Sequence, residues 1–247
     1  MIIMSNETLK DATLTANSNL INYPTTNILD SRVDRLFRTD SSTTATIVFD
    51  AGAAVTVDSI NILNHNISSS VTTLEWQGNA TDSWGAPSVD ETLTWDADII
   101  TKQFTGGSYR YWRLNIIDGS NPDGYIQISR VSGCDAYTTV GISPNVTHDL
   151  IDAGVKTQNT GGGTYYDERY KYEQVSVSFP ALTHTQKAEM WDIFRAIGKG
   201  TPFFVTFDEV GSDLGTLYVT IDQDGINASL LINSDYYSFG LSLKEEK

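Results

Sequence analysis

A chain of 247 residues with one cysteine, six prolines and three histidines is short of the residue types that most directly advertise chemistry. The lone thiol, Cys134, excludes an intramolecular disulfide and any CxxC zinc or redox site. Basic residues are scarce: 16 Lys and Arg stand against 31 Asp and Glu, a net charge of −15. Nucleic acid and anionic membrane surfaces both need clustered cations, so neither is an expected partner. No stretch approaches the ~18 apolar residues of a membrane span. Met1-Ile-Ile-Met4 is followed at once by polar Ser5-Asn6-Glu7 and lacks the basic start and longer apolar run of a signal peptide, so none is expected.

Catalytic motifs are missing as well. His65, His148 and His184 lie in three separate segments, and no HExxH, GxSxG, P-loop or GxGxxG occurs. Gly211-Ser-Asp-Leu-Gly215 reads as a loop, and Asp222-Gln-Asp-Gly225 as a hairpin turn without the Glu that closes a calcium loop. Asp30, Asp34 and Asp40 read as solvent-facing acids, and the carboxylate pairs Asp96/Asp98 and Glu209/Asp213 as the chance product of an acidic composition. No enzymatic activity, metal or cofactor is expected.

What is abundant is β-forming and turn-forming sequence, with 40% apolar and 11% aromatic residues, enough for a packed core. Short alternating runs separated by turn clusters fill the first half. They are Thr46–Asp50, Val55–Leu63, Thr73–Gln77, Glu91–Trp95, Tyr109–Ile116 and Tyr125–Val131. The apolar phase changes between Val57 and Ile60, which predicts a bulge. Trp76, Trp95 and Trp112 alternate with polar neighbours and are expected in the core, as is Cys134, while Arg110 or Arg113 should project outward. Trp84, in a loop composition, is either a stacking platform for a sugar or partner, or a loop anchor folded back onto the strands.

Residues 137–170, with Gly161-Gly-Gly163, show no sustained period and read as a linker or an assembly arm. Order returns at residue 171. Gln174–Phe179 alternates strictly, and Thr183-His-Thr-Gln186 has capping-box form opening a helix over 184–197. Ala188, Trp191, Phe194 and Ile197 form its apolar face, and Gly198 is the stop. Three further strands are expected, over Thr201–Phe207, Thr216–Ile221 and Tyr236–Leu243. The fold class is mainly β: an N-terminal jelly-roll β-sandwich over 1–136, and a C-terminal β-sandwich domain over 171–247 with one flanking helix.

The segments Thr46-Ile-Val-Phe-Asp-Ala-Gly52, Val57-Asp-Ser-Ile-Asn-Ile62, the Trp84 loop, Tyr109-Arg-Tyr-Trp-Arg-Leu114 and Ile128-Ser-Arg-Val-Ser-Gly-Cys134 come in one order. In that order they resemble the discoidin-like, galactose-binding-like family over about residues 20–136. The resemblance implies glycan binding through loops at one end of the sandwich, with Arg38, His65, Trp84, Asn121 and Asp123 as candidates. The family's closing disulfide has no partner here. The second half, from Tyr170–Phe179 through the capped helix to Gly198-Lys-Gly-Thr-Pro-Phe-Phe204, resembles tail proteins of tailed bacteriophages. That resemblance implies a virion protein made in bacterial cytoplasm: a structural part of a tail tip or baseplate, ring-forming through its C-terminal domain. Its partners would be the tail tube, the hub, neighbouring copies and possible host surface glycans. The alternative is a free carbohydrate-binding, lectin-like protein.

Overall fold

The computed structural model describes residues 1–139, 145–207, 215–225, 227–231 and 235–246. Glu209, Asp213 and most of the Gly211–Gly215 stretch lie outside them. Ile2–Tyr137 form one compact unit, and Thr138–Asp213 with Leu217–Lys247 form the other.

The first unit contains β1 (Ile2–Glu7), β2 (Thr13–Ala16), a 3-10 turn (Thr25–Leu29), β3 (Phe37–Arg38), β4 (Thr44–His65), β5 (Thr73–Asn79), β6 (Val89–Thr92), β7 (Ile99–Ile117) and β8 (Gln127–Thr138). Two strands, β4 and β7, are long enough to serve two sheets. Their halves Thr44–Val57 and Gly107–Ile117 pair with each other and with β2 and β5, and β6 continues that layer. The remaining halves, Ser59–Leu63 and Gln103–Ile99, pair again, and β8 and β3 extend the second layer. Register shifts between Val57 and Ser59 and between Asp50 and Val55 let β4 turn the corner. The first coincides with the phase change in the sequence. The second absorbs Ala51-Gly52, which was expected to end a strand. Gly52 instead takes φ +75° inside a continuing one, its N–H held by Asp50 Oδ1 at 2.8 Å.

Alternation places Ile47 and Phe49 of β4, Leu74 and Trp76 of β5, and Trp112, Leu114 and Ile116 of β7 in one core with Ile60, Ile62, Ile100 and Ile128. Trp76 and Trp112 stack at 5.8 Å, and Phe49 meets Trp76 edge-on at 5.4 Å. Trp95 departs from expectation. At 37% exposed it lies beyond the end of β6, its indole N–H donating to the Ile67 carbonyl. Arg110 does project outward and pairs with Asp50 at 2.7 Å. Cys134 is fully buried, and burial pushes its thiol far above the ordinary range, so it packs as a small inert group.

In the second unit, β12 (Lys171–Leu182) lies between β9 (Asn145–Asp152) and β16 (Tyr237–Glu245), with β14 (Thr216–Ile221) and β15 (Ala228–Leu230) also against β16 and β13 (Phe203–Thr206) beside β14. Residues 137–170, read from sequence as lacking periodic structure, hold β9 and a hairpin of β10 (Val155–Gln158) and β11 (Thr164–Asp167). Their residues are almost all exposed, so no apolar face imposed a period that could be read.

Cross-strand partners Val175/Leu243, Val177/Leu241 and Phe179/Phe239 make the buried face of this sheet, and α1 (His184–Ile197) covers it through Phe194, stacked on Phe239 at 5.8 Å. The expected capping box is present: Thr183 Oγ1 accepts from the Gln186 N–H, and Gln186 Oε1 accepts from the Thr183 N–H. The buried stripe is Met190, Phe194 and Ile197 rather than Ala188, Trp191, Phe194 and Ile197. Three-residue spacing drifts around a 3.6-residue helix, which leaves Ala188 in solvent and Trp191 at the margin.

Gly78 on β5 lies against the Trp112 ring with no room for a side chain. A Cβ there would lie 2.6 Å from Trp112 Cζ3. Gly78→Ala should therefore destabilise the N-terminal unit by about 1–3 kcal/mol, read as a lower urea midpoint, whereas a neutral result would show that the Trp112 ring is free to shift.

Candidate functional site

Strand register sorts the candidate residues between the two ends of the sandwich. Thr73, Ile117 and Thr44 meet at one end, and Asn79, Tyr111 and Asp50 at the other. The loops 39–43, 66–72 and 118–126 belong to the first end, together with the β3–β8 junction. Arg38, His65, Asn121 and Asp123 all gather there. Trp84 does not. Its loop follows Asn79 at the far end, roughly 20 Å of strand away, and folds back so that the Arg113 guanidinium lies 4.6 Å over its ring. Its indole N–H bonds Asp82 at 2.7 Å, which is the loop-anchor arrangement.

Arg38 is the centre of the first end. Its guanidinium sits 4.0 Å over Tyr125 and 4.8 Å over Tyr23, and its Nη2 donates to Gln127 Oε1 at 2.7 Å. All three of Tyr23, Arg38 and Tyr125 are half-buried, so the stack reaches the surface. Beside it, Asn66 donates to Asp123 Oδ2 at 2.9 Å and to the Tyr125 carbonyl at 3.0 Å, and its Oδ1 accepts from the Gln127 N–H. Asp123 is exposed, with a carboxylate fixed in direction by Asn66. The result is a row of planar groups, Arg38, Gln127, Asn66 and Asp123, flanked by two phenol rings.

Asn121 supports this row from beneath. It is 7% exposed and spends both ends of its amide internally: Nδ2 donates to the Asn66 carbonyl and to Asp118 Oδ2, and Oδ1 accepts from the Asp123 N–H. Asp118, fully buried, also accepts from the backbone N–H and hydroxyl of Ser68. His65 lies inward as well, with Nδ1 accepting from the Ile67 N–H at 3.2 Å. Burial pushes its pKa below the ordinary value, against the opposing pull of Asp96 and Asp98. The two non-glycine residues of positive φ among those described, Ser41 and Asn64, both belong to this end. Arg32 holds the Asp30 carboxyl down at about 2, and no metal-binding group of three acids, histidines or cysteines forms among the described residues.

Sequence reasoning missed Tyr23, Tyr125 and Gln127, and it reached Asn66 only within Asn64-His65-Asn66, which reads as a strand-end loop or part of a polar binding rim. The one signal for the missed three was Tyr125 after a turn. What joins them is pairing across 89 residues of sequence, between Arg38 and Gln127.

No family model and no curated protein matches the chain. Similar solved structures include the lectin domain of lectinolysin complexed with Lewis b antigen (13% identity, TM-score 0.44), covering 53% of this chain and 96% of that one. Others are the family 32 carbohydrate-binding module of Clostridium perfringens NanJ with galactose (14%, 56% and 100%, TM-score 0.43) and a Streptococcus pneumoniae fucose-binding module (10%, 52% and 94%, TM-score 0.42). Similarity of this degree assigns no ligand to this chain. These three are lectins or carbohydrate-binding modules, not phage tail proteins.

Two outcomes test the geometry. An inward His65 with a lowered pKa stays neutral in the folded state while the unfolded chain takes up a proton near its ordinary value of about 6.5. The resulting stability is complete above that pH and is lost as pH falls below it. The drop in urea midpoint between pH 7 and pH 5 should shrink in His65→Gln, and an unchanged drop would remove His65 as its source. Asn121→Ala strands the buried Asp118 and Asn66 groups and should cost about 1–3 kcal/mol in the same measurement.

Proposed function

We propose that the N-terminal unit is a saccharide-binding module that uses the sandwich end around Arg38. The observation that carries this is the surface-reaching Tyr23–Arg38–Tyr125 stack beside Gln127, Asn66 and Asp123. A sugar ring has apolar C–H faces and hydroxyls that both donate and accept. Half-exposed phenol rings suit the first, and rigidly held planar side chains suit the second. Arg38 is a donor, Asp123 an acceptor, and each is oriented by a neighbour, which lowers the entropy lost on binding. Asn121 and His65 act as supports for this surface, and Trp84 is outside it.

A second reading, membership of a phage tail tip or baseplate ring, is favoured by one feature of the C-terminal unit. Among the described residues, strand β9 is bonded on one side only, to β12, and carries Leu150 at 68% exposed, while the β10–β11 hairpin displays Tyr165 at 65%. An eight-residue open edge and an uncovered two-stranded hairpin are surfaces that a protein partner would complete. The two readings are compatible, with a glycan-binding unit presented on an assembly unit.

The test is a glycan array probed with the full chain, weighted toward galactose- and fucose-terminated sugars. The wild type should bind a defined set, and Arg38→Ala and Tyr125→Ala should each lose at least tenfold in affinity, about 1.4 kcal/mol, while Trp84→Ala keeps it. Binding lost in Trp84→Ala but retained in the other two would move the site to the opposite end. Light scattering with negative-stain microscopy tests assembly: rings at multiples of 27.2 kDa are expected under the second reading, and a monomer at high concentration speaks for the module alone.

A further inference from the structure

The chain contains the Asp-Gly steps Asp118-Gly119, Asp123-Gly124 and Asp224-Gly225. Such a step carries a chemistry of its own. The glycine amide nitrogen can attack the side-chain carboxyl carbon of the aspartate before it, because glycine has no Cβ to block the approach. In a folded chain the outcome depends on what holds the two groups, and the structure holds these steps differently.

Asp118 is sealed. It is fully buried, and its carboxylate accepts from the Ser68 N–H and hydroxyl and from Asn121 Nδ2. At Asp123-Gly124 the side chain is exposed, but both reacting groups are occupied. Asp123 Oδ2 accepts from Asn66 at 2.9 Å, and the Gly124 N–H donates to the Asn121 carbonyl at 3.2 Å. Asn121 Oδ1 also holds the Asp123 N–H at 3.0 Å, so the carboxyl cannot swing onto the amide without breaking this turn.

Asp224-Gly225 has no such restraint. It lies in the irregular stretch between β14 and β15, and its aspartate side chain is 97% exposed. The Gly225 N–H makes no hydrogen bond among the described residues. Asp224 is held by Lys199 Nζ at 2.5 Å, from a side chain that is itself 61% exposed. An ion pair this open to water is weak and separates readily.

We propose that Asp224-Gly225 is a self-modification site, at which the folded chain isomerises slowly to isoaspartate while Asp118 and Asp123 are spared. The Gly225 nitrogen bonds Asp224 Cγ and gives up its proton, and one carboxyl oxygen leaves as water, closing a five-membered imide. Water then adds to one of the two imide carbonyls and breaks its C–N bond. Addition at Cγ restores aspartate. Addition at the backbone carbonyl leaves the chain running through the side-chain carbon, one methylene longer, with the carboxylate on Cα. Charge is unchanged, and no other reactant is needed. Water leaves readily only from the neutral acid, and Lys199 holds the Asp224 carboxyl below its ordinary range, so Lys199 is a brake. The longer backbone falls beside Gln223, whose side chain extends the β16 ladder by accepting from the Ser242 N–H and donating to the Gly240 carbonyl.

The experiment is a prolonged incubation of the folded full-length chain near neutral pH in water enriched in oxygen-18, followed by peptide mapping with fragmentation that separates aspartate from isoaspartate. Both products of imide hydrolysis carry one heavy oxygen. Label and isoaspartate are expected at Asp224 and not at Asp118 or Asp123, whereas the urea-unfolded chain should be labelled at all of them. Gly225→Ala should slow the reaction about tenfold. A Cβ there meets nothing within 4 Å, so the variant keeps the fold. Lys199→Gln should speed it about threefold. Hydrogen exchange at the Ser242 amide should be faster in the isomerised fraction. The proposal is overturned by no label at Asp224 in the folded chain, by equal label at Asp118 or Asp123, or by Gly225→Ala reacting as fast as the wild type. An unchanged rate in Lys199→Gln overturns the role given to Lys199.

Discussion

The N-terminal unit is organised around one contact, the stacked pair Trp76 and Trp112. Each ring can be large only because a glycine faces it. Gly78 gives Trp112 its room, and a Cβ on Gly133, in the other sheet, would lie 3.4 Å from Trp76 Cζ2 and 2.6 Å from Leu9. Trp76 therefore reaches from its own sheet to the backbone of the facing one and sets the distance between the layers. The corner in β4, the inward isoleucines and the placement of the end loops all assume that spacing. Dispersion over two buried indoles is distributed across many atom pairs, and this is why the loops above can hold polar, partly strained backbone without loosening the layers beneath.

Some of this was legible in the sequence because it is local. The helix at 184–197 announces itself through Thr183 and Gln186, three residues apart, and the structure ends it at the same glycine. The corner in β4 showed as a break in alternation between Val57 and Ile60, since a shifted register must move apolar residues to the other parity. The β-rich class and the buried Trp76 and Trp112 followed from the same alternation. Trp95 misled because alternation persists past the last paired residue of β6, and a sequence does not mark where pairing stops. Strands β9 to β11 were unreadable for the opposite reason. With both faces exposed, nothing in their composition has to alternate.

The candidate site was half visible. Arg38, Asn121 and Asp123 were grouped through resemblance and do lie together at one end, but their division of labour depends on burial. An exposed carboxylate at Asp123 and a sealed amide at Asn121 stand two positions apart in one turn and do different work. Arg38 sits between aromatic rings supplied by a residue 15 positions before it and another 87 after it. Long-range pairing of that kind leaves no pattern in a single sequence. Trp84, the most conspicuous aromatic of the loops, has its ring covered by Arg113 and its N–H occupied by Asp82.

Strand β1 lies next to β8, so the first residues of the N-terminal unit are completed by its last. The Thr8 amide bonds the Gly133 carbonyl, and the Cys134 thiol meets the Met4 carbonyl. During synthesis nothing before residue ~130 can finish this layer, and the chain must carry an unpaired first strand through most of the unit's translation. Contacts between such distant positions make for slow closure. A ribosome-bound fragment stopped short of β8 should thus be sticky and protease-sensitive, and the native unit should appear abruptly once β8 has emerged.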